Sequence, residues 1–245
     1  MTASFLLLLA AGAVAGGFVN GLAGFGTALF TLGFWLQIMS PPEAVAMVLF
    51  MSVTSGIQGM IVVWHGIRWR RLMIFLVPAL LAIPIGLQLL DQIDAGTLKK
   101  IIAAFLIVFG GYFAIRKQLP NFTRPTPILD AMIGFVSGIL GAIAGLSGAL
   151  PTMWVSLRPW PKAEQRAVLQ PFNIIILGVA AALLALDGAY SKPVLSNLLV
   201  AVPIAMLSAR LGLAVFRRLD DHQFRRLLIV LMLVAGLALM TRELL

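Results

Sequence analysis

The stretch GFVNGLAGFGTALFTL, residues 17–32, lies inside an apolar run that extends from residue 3 to residue 38. A membrane-spanning helix needs about 20 apolar residues, so this run is too long for a single crossing. Its centre is rich in glycine, which weakens a helix and permits left-handed backbone turns. The stretch therefore predicts a segment that enters the membrane, unwinds at Gly24 and Gly26, and turns back.

A second apolar run of excess length covers residues 127–157, and its centre contains Gly145 and Gly148. Six further segments have the length of single crossings, at residues 44–64, 72–90, 98–115, 167–186, 194–216 and 224–241. Close helix packing is an alternative role for four outer glycines, which are spaced four residues apart. These are Gly17, Gly21, Gly134 and Gly138.

The composition excludes a soluble domain. Of 245 residues, 61% are hydrophobic and 11% are charged, whereas a soluble protein is about 25% charged. The continuous apolar runs predict an all-α polytopic membrane protein rather than a barrel of alternating strands. The N-terminal stretch lacks the basic residues of a signal peptide, so we expect it to remain as the first membrane segment.

The net charge of +9 arises from Lys and Arg clustered in short loops. This pattern indicates membrane topology and contact with anionic lipid rather than a nucleic-acid partner. The chain contains no cysteine, and its two histidines, His65 and His222, fall in loops. We therefore expect neither a metal site nor a cofactor.

The two halves of the chain contain similar stretches in the same order, which predicts an internal duplication. The matched pairs are 17–21 with 134–138, 24–32 with 145–153, and 86–117 with 212–243. The predicted division is a first repeat at 1–117, a linker at 118–126 and a second repeat at 127–245. Each repeat then contains a glycine-rich hairpin, at 3–38 or 127–157, followed by three transmembrane helices.

The positions of Lys and Arg predict how the chain crosses the membrane. If both long runs turn back, one side carries thirteen of these residues and the other carries four. If each run crosses once, the two sides carry eight and nine Lys and Arg residues, and so small a difference predicts no orientation. The thirteen lie in the loops at 65–71, 116–124, 158–166 and 217–226. Three crossings per repeat make the halves inverted, with both termini outside and a transport site between the repeats at the midplane.

The membrane segments are poor in acidic residues, and no serine–histidine or metal-protease spacing occurs. A deep carboxylate proton relay and a membrane enzyme are therefore not expected. Donor groups without acidic neighbours suit an anion, and the restart of a broken helix exposes N–H groups that favour one. The predicted substrate-binding residues are Asn20, Gly24, Gly26, Thr27, Gln58, Ser137, Gly145, Ser147, Gly148, Asn173 and Arg210.

Three charged residues have alternative roles. Arg210 is about a turn and a half from a basic loop, so snorkelling to the interface is the alternative to binding the anion. Glu43 and Glu164 match each other in the two repeats. They are candidates for coupling transport to an ion, but charge stabilisation at a helix N-terminus would also place them there.

At these residues the chain resembles the TauE/SafE family of membrane permeases, often called sulfite exporters. The resemblance rests on GFVNGLAGFGTALFTL (17–32) and GFVSGILGAIAGLSGALPTMWVSL (134–157) and covers nearly the whole chain. The first copy departs from the second, with Phe30 in place of Pro151. The resemblance implies movement of sulfite, sulfonates, sulfoacetate or short carboxylates across a bacterial cytoplasmic membrane.

The expected function is a secondary transporter that moves a small anion by alternating access. Two alternatives stay open: a passive anion channel of the same fold, and a membrane assembly subunit without a substrate. The expected partners are the small anion and the lipid bilayer, and self-association into a homo-oligomer stays open.

Overall fold

The computed structural model describes residues 3–115, 122 and 124–220, together with single positions at 223, 226, 227, 230, 233 and 237. Within these residues the chain is helical and has no strand. The helices are α1 (Ala3–Ala23), α2 (Thr27–Trp35), α3 (Pro41–Val63), α4 (Trp69–Leu90), α5 (Ala95–Ile115), α6 (Pro127–Ala144), α7 (Ala149–Val155), α8 (Lys162–Leu186) and α9 (Lys192–Arg218). Most of the predicted helix 224–241, and linker residues 118–121 and 123, lie outside the described residues.

In the described part of the chain, six helices are long and apolar enough to cross a membrane. They are α1, α3, α4, α6, α8 and α9. Many side chains of these helices are large, hydrophobic and exposed, such as Leu81, Leu186 and Leu199. Such side chains would be unfavourable in water and suit a lipid environment. The predicted all-helical membrane fold is confirmed.

Several helices begin two to five residues before the apolar segments that predicted them. The first turn of a helix has unpaired N–H groups, and polar or proline residues are favoured there. Ser40 illustrates this, because it precedes α3 and forms a capping box with Glu43. A reading based on hydropathy alone therefore places the start too late.

The first long run folds into a hairpin with a long arm and a short arm. Gly24 and Gly26 have φ angles of 81° and 91°, so the chain leaves α1 through left-handed turns that glycine adopts without strain. Helix α2 then runs back along α1. The Trp35 indole N–H donates to the Leu9 carbonyl at 3.1 Å.

The second long run has the same form. Gly145 ends α6 with a φ angle of 68°, and α7 returns along α6. The Trp154 indole N–H donates to Asp130 at 2.5 Å, so the end of α7 lies beside the start of α6. Gly148 differs from the prediction, because its φ is −82° and its role in the break is close packing rather than a left-handed turn.

The outer glycines bring pairs of helices into backbone contact. A Cβ atom on Gly17 or Gly21 of α1 would collide with the backbone of Ala205 or Ala209 of α9. Gly17 meets Ala205 and Gly21 meets Ala209. Residue numbers therefore rise in the same direction along both helices, and α1 and α9 are parallel. The small-residue packing role of these glycines is confirmed.

Helices α4 and α6 form a second parallel pair of the same kind. A Cβ atom on Gly134 or Gly138 of α6 would collide with the backbone of Phe75 or Ala79 of α4. The first helix of each half thus packs against a helix of the other half. The core between the two pairs contains α3 and α8, which bring the central polar side chains to the breaks.

The directions of the helices determine at which of the two ends of the bundle each loop lies. At one end, here called the basic face, Arg71 pairs with Glu164 and lies 4.6 Å from the centre of the Trp160 ring. Arg158 at this end donates to the Arg124 carbonyl at 2.6 Å. The described residues of the four basic loops therefore lie at one end, as the charge count predicts. The opposite face contains the start of α1 and the loops after α2, α4 and α8.

Candidate functional site

The two helix breaks contact each other in the centre of the protein. A Cβ atom on Gly148 would lie 2.5 Å from Cβ of Phe25, and one on Gly145 would lie 3.0 Å from Cβ of Ala28. Real Cβ atoms do not approach so closely, so glycine is required on the second break. The backbones of the two hairpins consequently form one compact unit.

Asn173 of α8 joins the two breaks through hydrogen bonds. Its Nδ2 donates to the Gly24 carbonyl at 3.3 Å, and its Oδ1 accepts from the Ser147 hydroxyl. Both side chains are buried. One amide therefore fixes the first break relative to the second, and the predicted residues Gly24, Ser147 and Asn173 lie together.

Asn20 connects the long arm of the first hairpin to α3. Its Nδ2 donates to the Ser55 hydroxyl at 2.6 Å and to the Ser52 carbonyl at 3.1 Å. The Asn20 Oδ1 atom is buried and has no hydrogen-bond partner. The same is true of the hydroxyl of Thr27, the first residue of α2. Unpartnered buried polar atoms are costly, so each one needs an explanation, such as a bound water, a bound ion or a functional role.

Two residues that the sequence reasoning missed complete this region. Arg166 of α8 is 4% exposed and Gln170 is 1% exposed. Arg166 donates to the Gly21 carbonyl at 2.9 Å and to the Leu22 carbonyl at 3.2 Å, at the last turn of α1. Arg166 had been counted only as a loop charge, because it lies one turn from the start of α8.

A spacing signal could have found both residues. Arg166, Gln170 and Asn173 stand at positions i, i+4 and i+7, which share one face of a helix. Gly56 and Gly59 of α3 lie opposite, and the Gln170 amide donates to the Gly56 carbonyl at 3.1 Å. A polar stripe facing small residues on a neighbouring helix indicates a buried polar contact inside a membrane protein.

Buried polar atoms without a partner are concentrated at the first break. Among the described residues there are five such side-chain atoms, and four surround Gly24–Gly26. The four are Asn20 Oδ1, Thr27 Oγ1, Arg166 Nε and Gln170 Oε1. They include donors and acceptors, so the region can bind a small oxygen-containing solute.

Three predicted residues lie elsewhere. Ser137 donates to the Ile133 carbonyl of its own helix at 2.5 Å, and Gln58 donates to the Met206 carbonyl of α9 at 3.1 Å. Arg210 is exposed on the outside of α9, where the snorkelling alternative places it. The structure does not bring these three side chains to the breaks.

The two glutamates make local contacts. The Glu43 carboxylate accepts from the backbone N–H of Ser40 at 3.2 Å and from its hydroxyl at 2.8 Å. Glu164, in the first turn of α8, pairs with Arg68 at 3.2 Å and with Arg71. Both contacts match the helix N-terminal alternative.

A cavity of about 290 Å³ lies at the opposite face. It is lined by Phe5, Ile38, Met39, Glu43, Met47, Pro193, Val194, Ser196 and Asn197. Its wall includes Met47 of α3, and the next residue of this helix, Val48, lies 3.2 Å from the Cβ position of Gly145. The fifth unpartnered atom, Asn197 Oδ1, is in this wall.

Comparison with known proteins is consistent with this architecture. Among curated proteins, none matches the chain at a significant level. A family model described as sulfite exporter TauE/SafE matches residues 8–239. That range includes both helix breaks, the glycine contacts of both parallel helix pairs and the polar stripe of α8. The chain therefore belongs to the TauE/SafE family of sulfite exporters.

Proposed function

We propose that the protein is a secondary transporter that moves a small anion across the membrane by alternating access, with its substrate site at the two helix breaks. The observation that carries this proposal is the meeting of Gly24–Gly26 and Gly145–Gly148 at buried polar side chains. Non-helical backbone at membrane depth is tolerated where protein or a watery cavity satisfies its polar groups. In secondary transporters such broken helices hold the substrate.

The charge at the breaks favours an anion. The charged side chain buried beside the first break is that of Arg166, and none of the described carboxylates pairs with it. A buried charge without a counter-charge is costly, and a bound anion would supply the missing partner. Sulfite, sulfonates and short carboxylates fit this requirement, and the family description favours a sulfur compound.

The packing of the helices supports a pair of inverted repeats, at residues 1–117 and 127–245. Helices α1 and α6 match each other in the sequence, as do α4 and α9. Helix α1 packs in parallel against α9, and α6 packs in parallel against α4, through glycines at equivalent positions. A two-fold arrangement of this kind allows one half to rock against the other around a fixed site.

The accessible volume supports one-sided access. The cavity of about 290 Å³ lies at the opposite face, whereas Arg166, between the first break and the basic face, is 4% exposed. With the basic face in the cytoplasm, this arrangement is outward-facing. We propose this orientation, with the N-terminus outside, for a bacterial inner membrane.

Counterflow in proteoliposomes tests the function. Vesicles preloaded with unlabelled sulfite should take up labelled sulfite from oxygen-free buffer faster than empty vesicles, and uptake should saturate. Flux that neither saturates nor shows counterflow would indicate a channel. Absence of flux and of binding for sulfite, sulfonates and carboxylates would refute anion transport and favour an assembly subunit.

A further inference from the structure

The side chain of Arg166 has no described carboxylate partner, although it is 4% exposed. Its neighbour Glu164 is already engaged by Arg68 and Arg71. The Cζ atom of its guanidinium lies 4.3 Å from the centre of the Phe216 ring. Arg166 is therefore held by neutral groups in a place where a charge requires strong partners.

The neutral partners of Arg166 belong to the segment directly before the first break. Two backbone carbonyls, of Gly21 and Leu22, accept its hydrogen bonds. These carbonyls belong to the last turn of α1, directly before the break. The contact ties the tip of the first hairpin to α8, one turn above the basic face.

The polar ends of Arg166 and Gln170 pack directly against glycine residues. A Cβ atom on Gly59 would lie 2.6 Å from Gln170 Oε1 and 3.1 Å from an Arg166 terminal nitrogen. A Cβ atom on Gly24 would lie 2.5 Å from the same Gln170 oxygen. Both Gln170 Oε1 and Arg166 Nε are without partners. The two unpartnered atoms both lie beside Gly24, 2.5 Å and 3.7 Å from its Cβ position.

We propose that Arg166 and Gln170 form the charge-binding subsite for the transported anion, and that the anion opens the basic face by competing with the Gly21 and Leu22 carbonyls for the guanidinium. This inference rests on the proposed function of anion transport. A guanidinium binds an oxyanion more strongly than it binds a neutral carbonyl, because the hydrogen bonds are charge-assisted and bidentate.

The exchange of partners gives the anion different interaction energies in the two states. In the closed state Arg166 is occupied by the end of α1, whereas in the open state it is free to hold the anion. A ligand shifts a conformational equilibrium only through such a difference. One positive charge with one acceptor beside it suits a monovalent oxyanion that retains a proton, such as hydrogensulfite.

The first test measures binding in the purified protein with sulfite as the probe. The variants are Arg166→Gln and, as a matched control, Arg70→Gln, which removes an exposed arginine of the basic face. Sulfite should stabilise the wild type and the control against heat. In Arg166→Gln the affinity for sulfite should fall by roughly 30-fold or more.

A second test measures the closure itself. The chain contains no cysteine, so Ser55→Cys provides a single thiol beside Asn20. An impermeant thiol reagent supplied from the basic face should label this thiol slowly when Arg166 is present and sulfite is absent. Sulfite should increase the rate of labelling. In the double variant with Arg166→Gln, labelling should be fast even without sulfite. Arg166→Lys, which keeps the charge and loses the planar fork, replaces Arg166→Gln in both tests if the latter does not fold.

The outcomes separate the two proposals. If the wild type binds sulfite and Arg166→Gln binds it equally well, the subsite is refuted and the transporter proposal stands. If labelling of Ser55→Cys is unaffected by the loss of Arg166, the closure is refuted. If no anion of the panel stabilises the wild type, anion transport fails, and the subsite fails with it.

Discussion

The Asn173 side chain donates from Nδ2 to the Gly24 carbonyl at 3.3 Å, and this hydrogen bond joins α8 to the first helix break. The two residues are 149 positions apart in the chain. The oxygen of the same amide accepts from Ser147. A single side chain therefore holds both breaks in register.

Ser147→Ala should weaken sulfite transport by tenfold or more, because Asn173 Oδ1 then lacks its donor at the point where the breaks meet. The unfolding free energy should fall by about 1–3 kcal/mol. Both effects can be measured by counterflow and by thermal unfolding in detergent. Ser156→Ala is the control, because its hydroxyl bonds only within the same turn, to the Thr152 carbonyl at 2.7 Å. Equal effects in both variants would contradict a special role for Ser147.

Arg210→Gln should leave sulfite affinity and transport rate within about twofold of the wild type. Arg210 is exposed on the outer surface of α9, and an exposed cation near a helix end contributes little to a buried site. Thermal stabilisation by sulfite measures the affinity directly. A tenfold loss would show that Arg210 reaches the substrate in another state of the transport cycle.

Gly21→Ala should destabilise the protein strongly, because the new methyl group collides with the backbone of Ala209 and forces α1 away from α9. Overpacking of this kind costs about 1–3 kcal/mol or more. Gly111→Ala is the control, since nothing lies within 4 Å of its Cβ position. Melting temperatures of the two variants should differ clearly. Equal melting temperatures would contradict the close approach of α1 and α9.

Glu43→Gln should lower the unfolding free energy by about 0.3–1 kcal/mol, because the amide can still cap Ser40 but the negative charge at the N-terminus of α3 is lost. Its pH profile of transport should match that of the wild type, because the carboxylate is engaged by Ser40. Counterflow between pH 5 and pH 8 checks this. Loss of the pH dependence would instead assign ion coupling to Glu43.

Tyr190, in the loop between α8 and α9, should make the protein sensitive to strong alkali. Burial raises the pKa of Tyr190 to about 12, from an ordinary value near 10. The stabilisation from the neutral phenol is complete below pH 10 and is lost as the pH rises towards 12. The Tyr190 hydroxyl also donates to the Ala46 carbonyl at 3.0 Å.

Tyr190→Phe separates this effect from general alkaline unfolding. The variant should be less stable than the wild type at pH 8, because it lacks the hydrogen bond to Ala46. The difference should shrink between pH 10 and pH 12. A constant difference across this range would refute the raised pKa.

The membrane character and the two turns could be read from the sequence. Hydropathy acts locally, so apolar runs of excess length reveal segments that cannot simply cross. Glycine is the residue that adopts a positive φ without strain, so Gly24, Gly26 and Gly145 mark the turns. The loop charges predicted which loops share an end, because charge is excluded from lipid wherever the chain folds.

The identity of the buried polar residues depended on packing between distant segments. Arg166 and Arg210 are both cations near helix ends. The polar stripe of Arg166, Gln170 and Asn173 marks one of them, but a stripe alone does not show which helix it contacts. The contact of Arg166 with the end of α1 buries its charge, whereas Arg210 is exposed on α9. Ser137 and Gln58 also have suitable chemistry, yet their helices place them at other contacts.

The sequence by itself determined that the chain lies in lipid, where it breaks, and which loops share an end, because hydropathy, backbone freedom and charge are properties of short stretches. Only the tertiary structure decided that the breaks meet at Asn173, and that Arg166 rather than Arg210 is buried beside them. Those facts depend on which faces of α1, α3, α8 and α9 come together. Close packing between helices that are far apart in the chain determines which faces these are.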